Sequence, residues 1–122
     1  MGASVAVRNA MLSAVVATHL SLHSADPGDT GANELSGGSP AYARKAVTLG
    51  AAADGVRSVA SLPTFDVPAG AVVSHWSLWN GSTWAWGGPF LDDEGLPTTE
   101  PYNNQGFYTP KEVTLPLQTP DA

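Results

Sequence analysis

The sequence contains no cysteine, which excludes a disulfide framework and thiolate metal sites and leaves the redox compartment open. Charge is scarce as well: Asp, Glu, Lys and Arg make up 13% of the 122 residues, and only five are cations. The resulting net charge of −6 argues against nucleic-acid binding, because neutralising phosphates takes clustered Lys and Arg. Arg8, Arg44, Lys45, Arg57 and Lys111 are instead scattered along the chain. No apolar run approaches the ~20 residues of a membrane-spanning helix. Internal repeats and heptads are missing, which removes solenoids and coiled-coil fibres. What remains is a chain sized for a single domain, 1–122, able to bury a core without staples. Low charge beside 43% hydrophobic residues suggests that part of its surface is covered by neighbouring proteins.

The stretch Thr18 to Gly50 organises the rest: a strand, a long glycine-rich turn and a second strand. Leu20 and Leu22 alternate with His19, Ser21 and His23, the period of a half-buried strand. Asp26-Pro27-Gly28 stops it: the Asp side chain can bond the backbone ahead, Pro fixes its own φ, and Gly supplies a positive φ cheaply. Residues 29–40, with Gly31, Asn33, Gly37, Gly38 and Pro40, suit an ordered loop. Alternation returns from Ala41 to Leu49, with Ala43, Val47 and Leu49 on one face and Tyr42, Arg44 and Thr48 on the other.

Upstream, residues 3–17 predict a short helix with Ser4 as N-cap and an apolar stripe through Val5, Met11, Leu12, Val15 and Val16. A secretory leader is the rival reading, but Asn9 and Ser13 interrupt its apolar block and cleavage after Ala25 would delete the first strand. Downstream, 56–60 and 62–67 predict strands, with Phe65 and Val67 on one face. Val72 to Trp79 is the clearest strand, pointing Val72, Trp76 and Leu78 one way and Val73, His75 and Trp79 the other. Asn80-Gly81 signals a hairpin into Thr83-Trp84-Ala85-Trp86, whose two tryptophans share a face cross-strand from Trp76 or Trp79. A second long loop, 87–106, precedes strands at 107–108 and 113–117, and 118–122 frays. The count predicts a mainly β fold, an antiparallel β-sandwich of about seven short strands with one N-terminal helix.

Two runs carry a family resemblance. His19 to Gly28 together with Thr30 to Gly38, continued by Tyr42-Ala43-Arg44-Lys45-Ala46-Val47, resemble the opening of a family of small bacteriophage minor tail or tail-fibre proteins. Val72 to Trp79 is similar to a later strand of that family. The family is known from long-tailed phages, many of actinobacterial hosts. The resemblance implies a virion tail component that is assembled in the host cytoplasm, forms a homotrimer and contacts other tail proteins.

Sites of chemistry are thin. In an extended strand His19 and His23 lie about 13 Å apart, too far to clasp one metal. Asp92-Asp93-Glu94 lacks the alternating ligands of a calcium loop and reads as a solvated acidic turn. No Gly-x-Ser-x-Gly elbow, P-loop or dinucleotide fingerprint is present. A glycosidase would have to pair Asp92 or Glu94 with Glu100 across a cleft lined by Trp84 and Trp86. The expectation is therefore a non-enzymatic chain without cofactor or metal, binding neither nucleic acid nor membrane. Its interface candidates are His19, His23, Tyr42, Arg44, His75, Trp79, Trp84, Trp86, Tyr102 and Phe107. A minor tail protein at the tail tip or baseplate is the first reading. A head decoration protein, or a receptor module stacking host-wall glycan on tryptophan, is the alternative.

Overall fold

Turn residues cut the chain into short extended pieces. A computed structural model describes residues 4–116 as one helix, α1 (Val5–Ser13), and ten strands: β1 (His19–His23), β2 (Lys45–Ala46), β3 (Val56–Ser58), β4 (Phe65–Val67), β5 (Val72–Val73), β6 (His75–Asn80), β7 (Thr83–Pro89), β8 (Glu100–Pro101), β9 (Gly106–Tyr108) and β10 (Thr114–Pro116). All pairings between these strands are antiparallel. The main sheet runs β2-β1-β6-β7, and β10-β3, β4-β9 and β5-β8 form three two-stranded ribbons. The fold is mainly β, as the sequence predicts, with a sandwich-like core between the main sheet and the ribbons. The expected 72–79 strand divides into β5 and β6, and β8 is an additional strand within the expected 87–106 loop, where it pairs with β5. The frayed tail expected at 118–122 and the start of the expected helix at residue 3 lie outside the described residues.

Asn80-Gly81 does open a hairpin, with Asn80 opposite Thr83 and Gly81 at φ +61. Glycine first in a two-residue turn is the type II′ pattern, which matches the twist of the flanking strands. Leu20, Leu22 and Leu78 are fully buried, and Trp76 nearly so; they pack with Phe65, Val67, Val113 and Leu115. Tyr42 stacks on Phe65 with ring centroids 6.2 Å apart.

Three expectations are corrected. The strand at 72–79 breaks at Ser74, whose backbone N–H donates to the His23 carbonyl, so Val73 joins the core beside Trp76 and Leu78. Trp84 and Trp86 do not share a face. The ladder slips at Ala85, so Trp84 sits opposite Trp79 while Trp86 sits opposite Leu78, and the bulge sends the two indoles to opposite sides. Finally, only Lys45–Ala46 of the expected 41–49 strand pairs with β1. Tyr42, expected on the polar face, packs against the core, and Ala43, expected on the apolar face, is exposed.

The helix is shorter than the sequence suggests. Ser4 caps it, its Oγ accepting from the Val7 N–H at 3.2 Å, but only Leu12 is buried. Val5, Val7, Met11 and Val16 are 44–58% exposed. Arg57 of β3 holds the C-terminal end, Nη1 donating to the carbonyls of Leu12 and Val15 at 2.7 and 2.8 Å while Nε donates to Gly50. One guanidinium thus bonds the last-turn carbonyl of Leu12, which also accepts the Val15 N–H at 3.1 Å, and the Val15 carbonyl just past the Ala14 C-cap.

Candidate interaction surface

On the side of the main sheet that carries Ser21, Ser77 and Trp79, the segment 24–44 folds back as a flap. Its first turn forms as the residue types demand: Asp26 Oδ1 accepts from the Gly28 N–H at 2.8 Å, and the Pro27 carbonyl takes the N–H groups of Gly31 and Ala32. Gly31, at φ +80, lies against the indole edges of Trp79 and Trp84, where a Cβ would collide. Glycine is required here by both backbone and space.

Beneath the flap runs a polar chain. Trp79 Nε1 donates to Ser21 Oγ at 2.8 Å, Ser21 Oγ lies 2.6 Å from His23 Nε2, and His23 Nδ1 lies 2.7 Å from the Ala32 carbonyl. A carbonyl can only accept, so Nδ1 carries the proton, and Nε2 takes the serine hydroxyl's proton in a hydrogen bond. This order suits a neutral imidazole. Burial lowers the His23 pKa below the ordinary 6.5, the Ala32 carbonyl and Glu34 opposing that shift and Arg44 and His75 reinforcing it.

A second cluster clamps the flap's far end. Arg44 donates to both Glu34 carboxylate oxygens, Nη2 at 2.8 Å and Nε at 3.0 and 3.2 Å, and its guanidinium carbon sits 3.6 Å from the Trp79 ring centroid. The Tyr42 hydroxyl donates to Glu34 at 2.9 Å and accepts the Leu22 N–H. Burial pushes the Glu34 carboxyl up, yet hydrogen bonds from Arg44 and Tyr42 outweigh it and hold the group below the usual range. Burial also raises the Tyr42 phenol. These polar groups satisfy one another, which holds the flap in one position.

The other surface lies near β8–β9. A groove of about 490 Å³ has Val73, Phe90 and Tyr108 in its lining, with Asp92, Asp93, Glu100 and Glu112 among the acidic groups beside them. Phe90 and Tyr108 pack with ring centroids 5.3 Å apart, and burial pushes the Tyr108 phenol up to about 12. The turn 91–97 forms one wall. Asp92 Oδ1 accepts from the N–H groups of Glu94 and Leu96, the Asp92 N–H donates to the Leu96 carbonyl, and Leu91 bridges Pro97.

The ten candidates fall in different places. His23 and Trp79 are buried, so neither offers surface in the monomer. Tyr42 and Arg44 belong to the clamp; His19 and His75 are half-buried, with Nδ1 at 2.8 Å from Thr18 Oγ1 and 2.7 Å from Ser74 Oγ respectively. Trp84 is half-buried and donates to Ser77 Oγ, and Trp86 packs against the core. Tyr102 donates to the Phe107 carbonyl, and Phe107 itself is 71% exposed. Trp84 and Trp86 are not among the groove's lining residues, so the cleft in which a glycosidase would pair Asp92 with Glu100 is not lined by tryptophan. Among the described residues no three His, Asp or Glu side chains converge as metal ligands. The sequence reading missed Glu34, Ser21, Arg57 and the Phe90–Tyr108 pair. Each acts through a partner distant in sequence or through a backbone carbonyl, and leaves no local spacing signal.

A family model described as podophage GP4 fiber I protein gp80 matches residues 3–116. No curated protein and no solved structure matches the chain. The match carries the tail-fibre part of the resemblance seen in the sequence, and not its narrower link to long-tailed phages of actinobacterial hosts.

Proposed function

Because the chain belongs to this podophage fibre-protein family and is therefore a structural, virion-associated tail component, we propose that it works without catalysis, as a docking scaffold between tail subunits. The observation that carries the proposal is how its polar chemistry is used. His23, Glu34, Arg44 and Tyr42 are engaged in pinning a flap to the sheet, while large apolar side chains on α1, on the 91–97 turn and at Phe107 face outward. Exposed apolar groups on a rigid support suit contacts to other proteins.

In this reading the chain is a minor tail protein at the tail tip or baseplate. It forms a homotrimer, assembles in the host cytoplasm and contacts other tail proteins, with no cofactor, nucleic acid or membrane involved. Buried Trp76 and Trp79 favour protein docking over stacking on host-wall glycan, which needs open indole faces. Sedimentation velocity of the recombinant chain, followed by capture on dissociated virion proteins, tests the proposal. Self-association or retention of tail proteins supports it; a strict monomer without affinity for virion proteins contradicts it.

A further inference from the structure

The 91–97 turn holds Leu91 and Leu96 in water at 55% and 56% exposure. Its Asp92-centred hydrogen bonds fix the backbone, so the two leucines are presented by a set frame. Preorganised apolar groups of this kind lose little entropy on binding. Beside them the groove is backed by the buried core residues Val73 and Phe90, at 1% and 5% exposure, under a rim of four carboxylates facing one cation, Lys111. Lys111 does not neutralise that rim. It sits 4.0 Å from Asp93 with both side chains about nine-tenths exposed, a pairing that water and salt screen.

We propose that the 91–97 turn and the adjoining groove form a docking surface for a basic, apolar-flanked segment of a different tail protein, with an Arg or Lys meeting Asp93, Glu100 and Glu112 while aliphatic groups cover Leu91 and Leu96. A second copy of this chain is a poor occupant. It brings 11 carboxylates against 5 cations, with Arg44 held by Glu34 and Arg57 by three carbonyls. Opposite charge at such a rim steers encounter and sets partner choice, and the exposed Leu91 and Leu96 supply the apolar area to bury.

The inference rests on reading the chain as a structural tail component, yet its test is separate. Uniformly ¹⁵N-labelled full chain is titrated by NMR with acetyl-Leu-Arg-Leu-Arg-Leu-amide and with the Glu-for-Arg counterpart. The expected result is saturable shifts confined to residues 90–100 and 108–112 with the Arg peptide, and none with the Glu peptide. The exposed double change Asp93→Lys with Glu100→Gln should weaken binding about tenfold, as should Leu96→Ser, the rest of the spectrum showing that both fold. Shifts spread over Asp26, Asp29 and Asp54, equal binding of both peptides, insensitivity to these changes, or no saturable binding at millimolar peptide would overturn the proposal. Any of these results leaves the tail-component reading standing, since that depends on assembly and location.

Discussion

Arg44 stacks its guanidinium on Trp79, 3.6 Å from the ring centroid, and so ties the end of a 21-residue flap to β6, an inner strand of the main sheet. The same guanidinium grips Glu34 with two nitrogens, which a lysine cannot do. Arg44→Ala should destabilise the chain by about 2 kcal/mol, a figure already discounted for the solvent reaching a side chain 32% exposed. Arg44→Lys should recover less than half of that loss. Urea titrations followed by tryptophan fluorescence measure both, and equal stability of Lys and Arg variants would show that the fork geometry is irrelevant.

Acid should loosen the same flap. The folded-state pKa of His23 lies below its unfolded value near 6.5, so the unfolded chain takes up the proton more readily. Stability from this group is complete above that value and falls as pH drops through it toward the folded pKa. Glu34, also lowered, adds a second loss below its unfolded value of 4.5. Wild type should lose more stability between pH 7 and pH 5 than His23→Gln, as read by urea midpoints across that range. Parallel profiles for the two would remove His23 from the account.

Two glycines of the flap separate backbone strain from collision. Gly28 and Gly31 both have positive φ, at +62 and +80, but a Cβ at Gly28 meets nothing within 4 Å while one at Gly31 runs into Trp79 and lies 2.9 Å from Trp84. Gly28→Ala should cost about 1 kcal/mol for the left-handed backbone alone. Gly31→Ala should cost about 3 kcal/mol, because overpacking adds to it. Thermal or urea unfolding of the pair checks the ordering, and similar losses for both would contradict the close packing of the flap on the indoles.

Arg57 makes a separable prediction about the helix. Its three bonds to the Leu12, Val15 and Gly50 carbonyls join α1 to β3, while the helix itself buries only Leu12. Arg57→Ala should cost about 2 kcal/mol and raise hydrogen exchange across Val5–Ser13 more than across β6. Uniform acceleration along the chain would mean that the helix is not a distinct unit.

What the sequence reveals of this fold is what is decided locally. Ser4 as N-cap, the Asp26–Gly28 turn, the Asn80-Gly81 hairpin and the shared burial of Phe65 and Val67 all follow from residue types within a few positions of each other. The two-residue period of β1 is also legible, but not the burial of both its faces. Ser21 and His23 look solvent-facing in sequence and become fully buried because a flap from 24–44 covers them. The bulge at Ala85 is invisible for the same reason: nothing near it in sequence shows that Trp84 must meet Trp79 while Trp86 turns to the core. The clamp is harder still, since Glu34 and Arg44 lie ten residues apart and their third partner, Trp79, comes from another strand.

Cryo-electron microscopy of intact particles tests most directly whether this chain is a tail-docking scaffold. The account predicts density for the main sheet and its flap within the tail, repeated about the tail axis, with α1 or the 91–97 turn against a neighbouring subunit. Density on the head, or none in the virion, would contradict it.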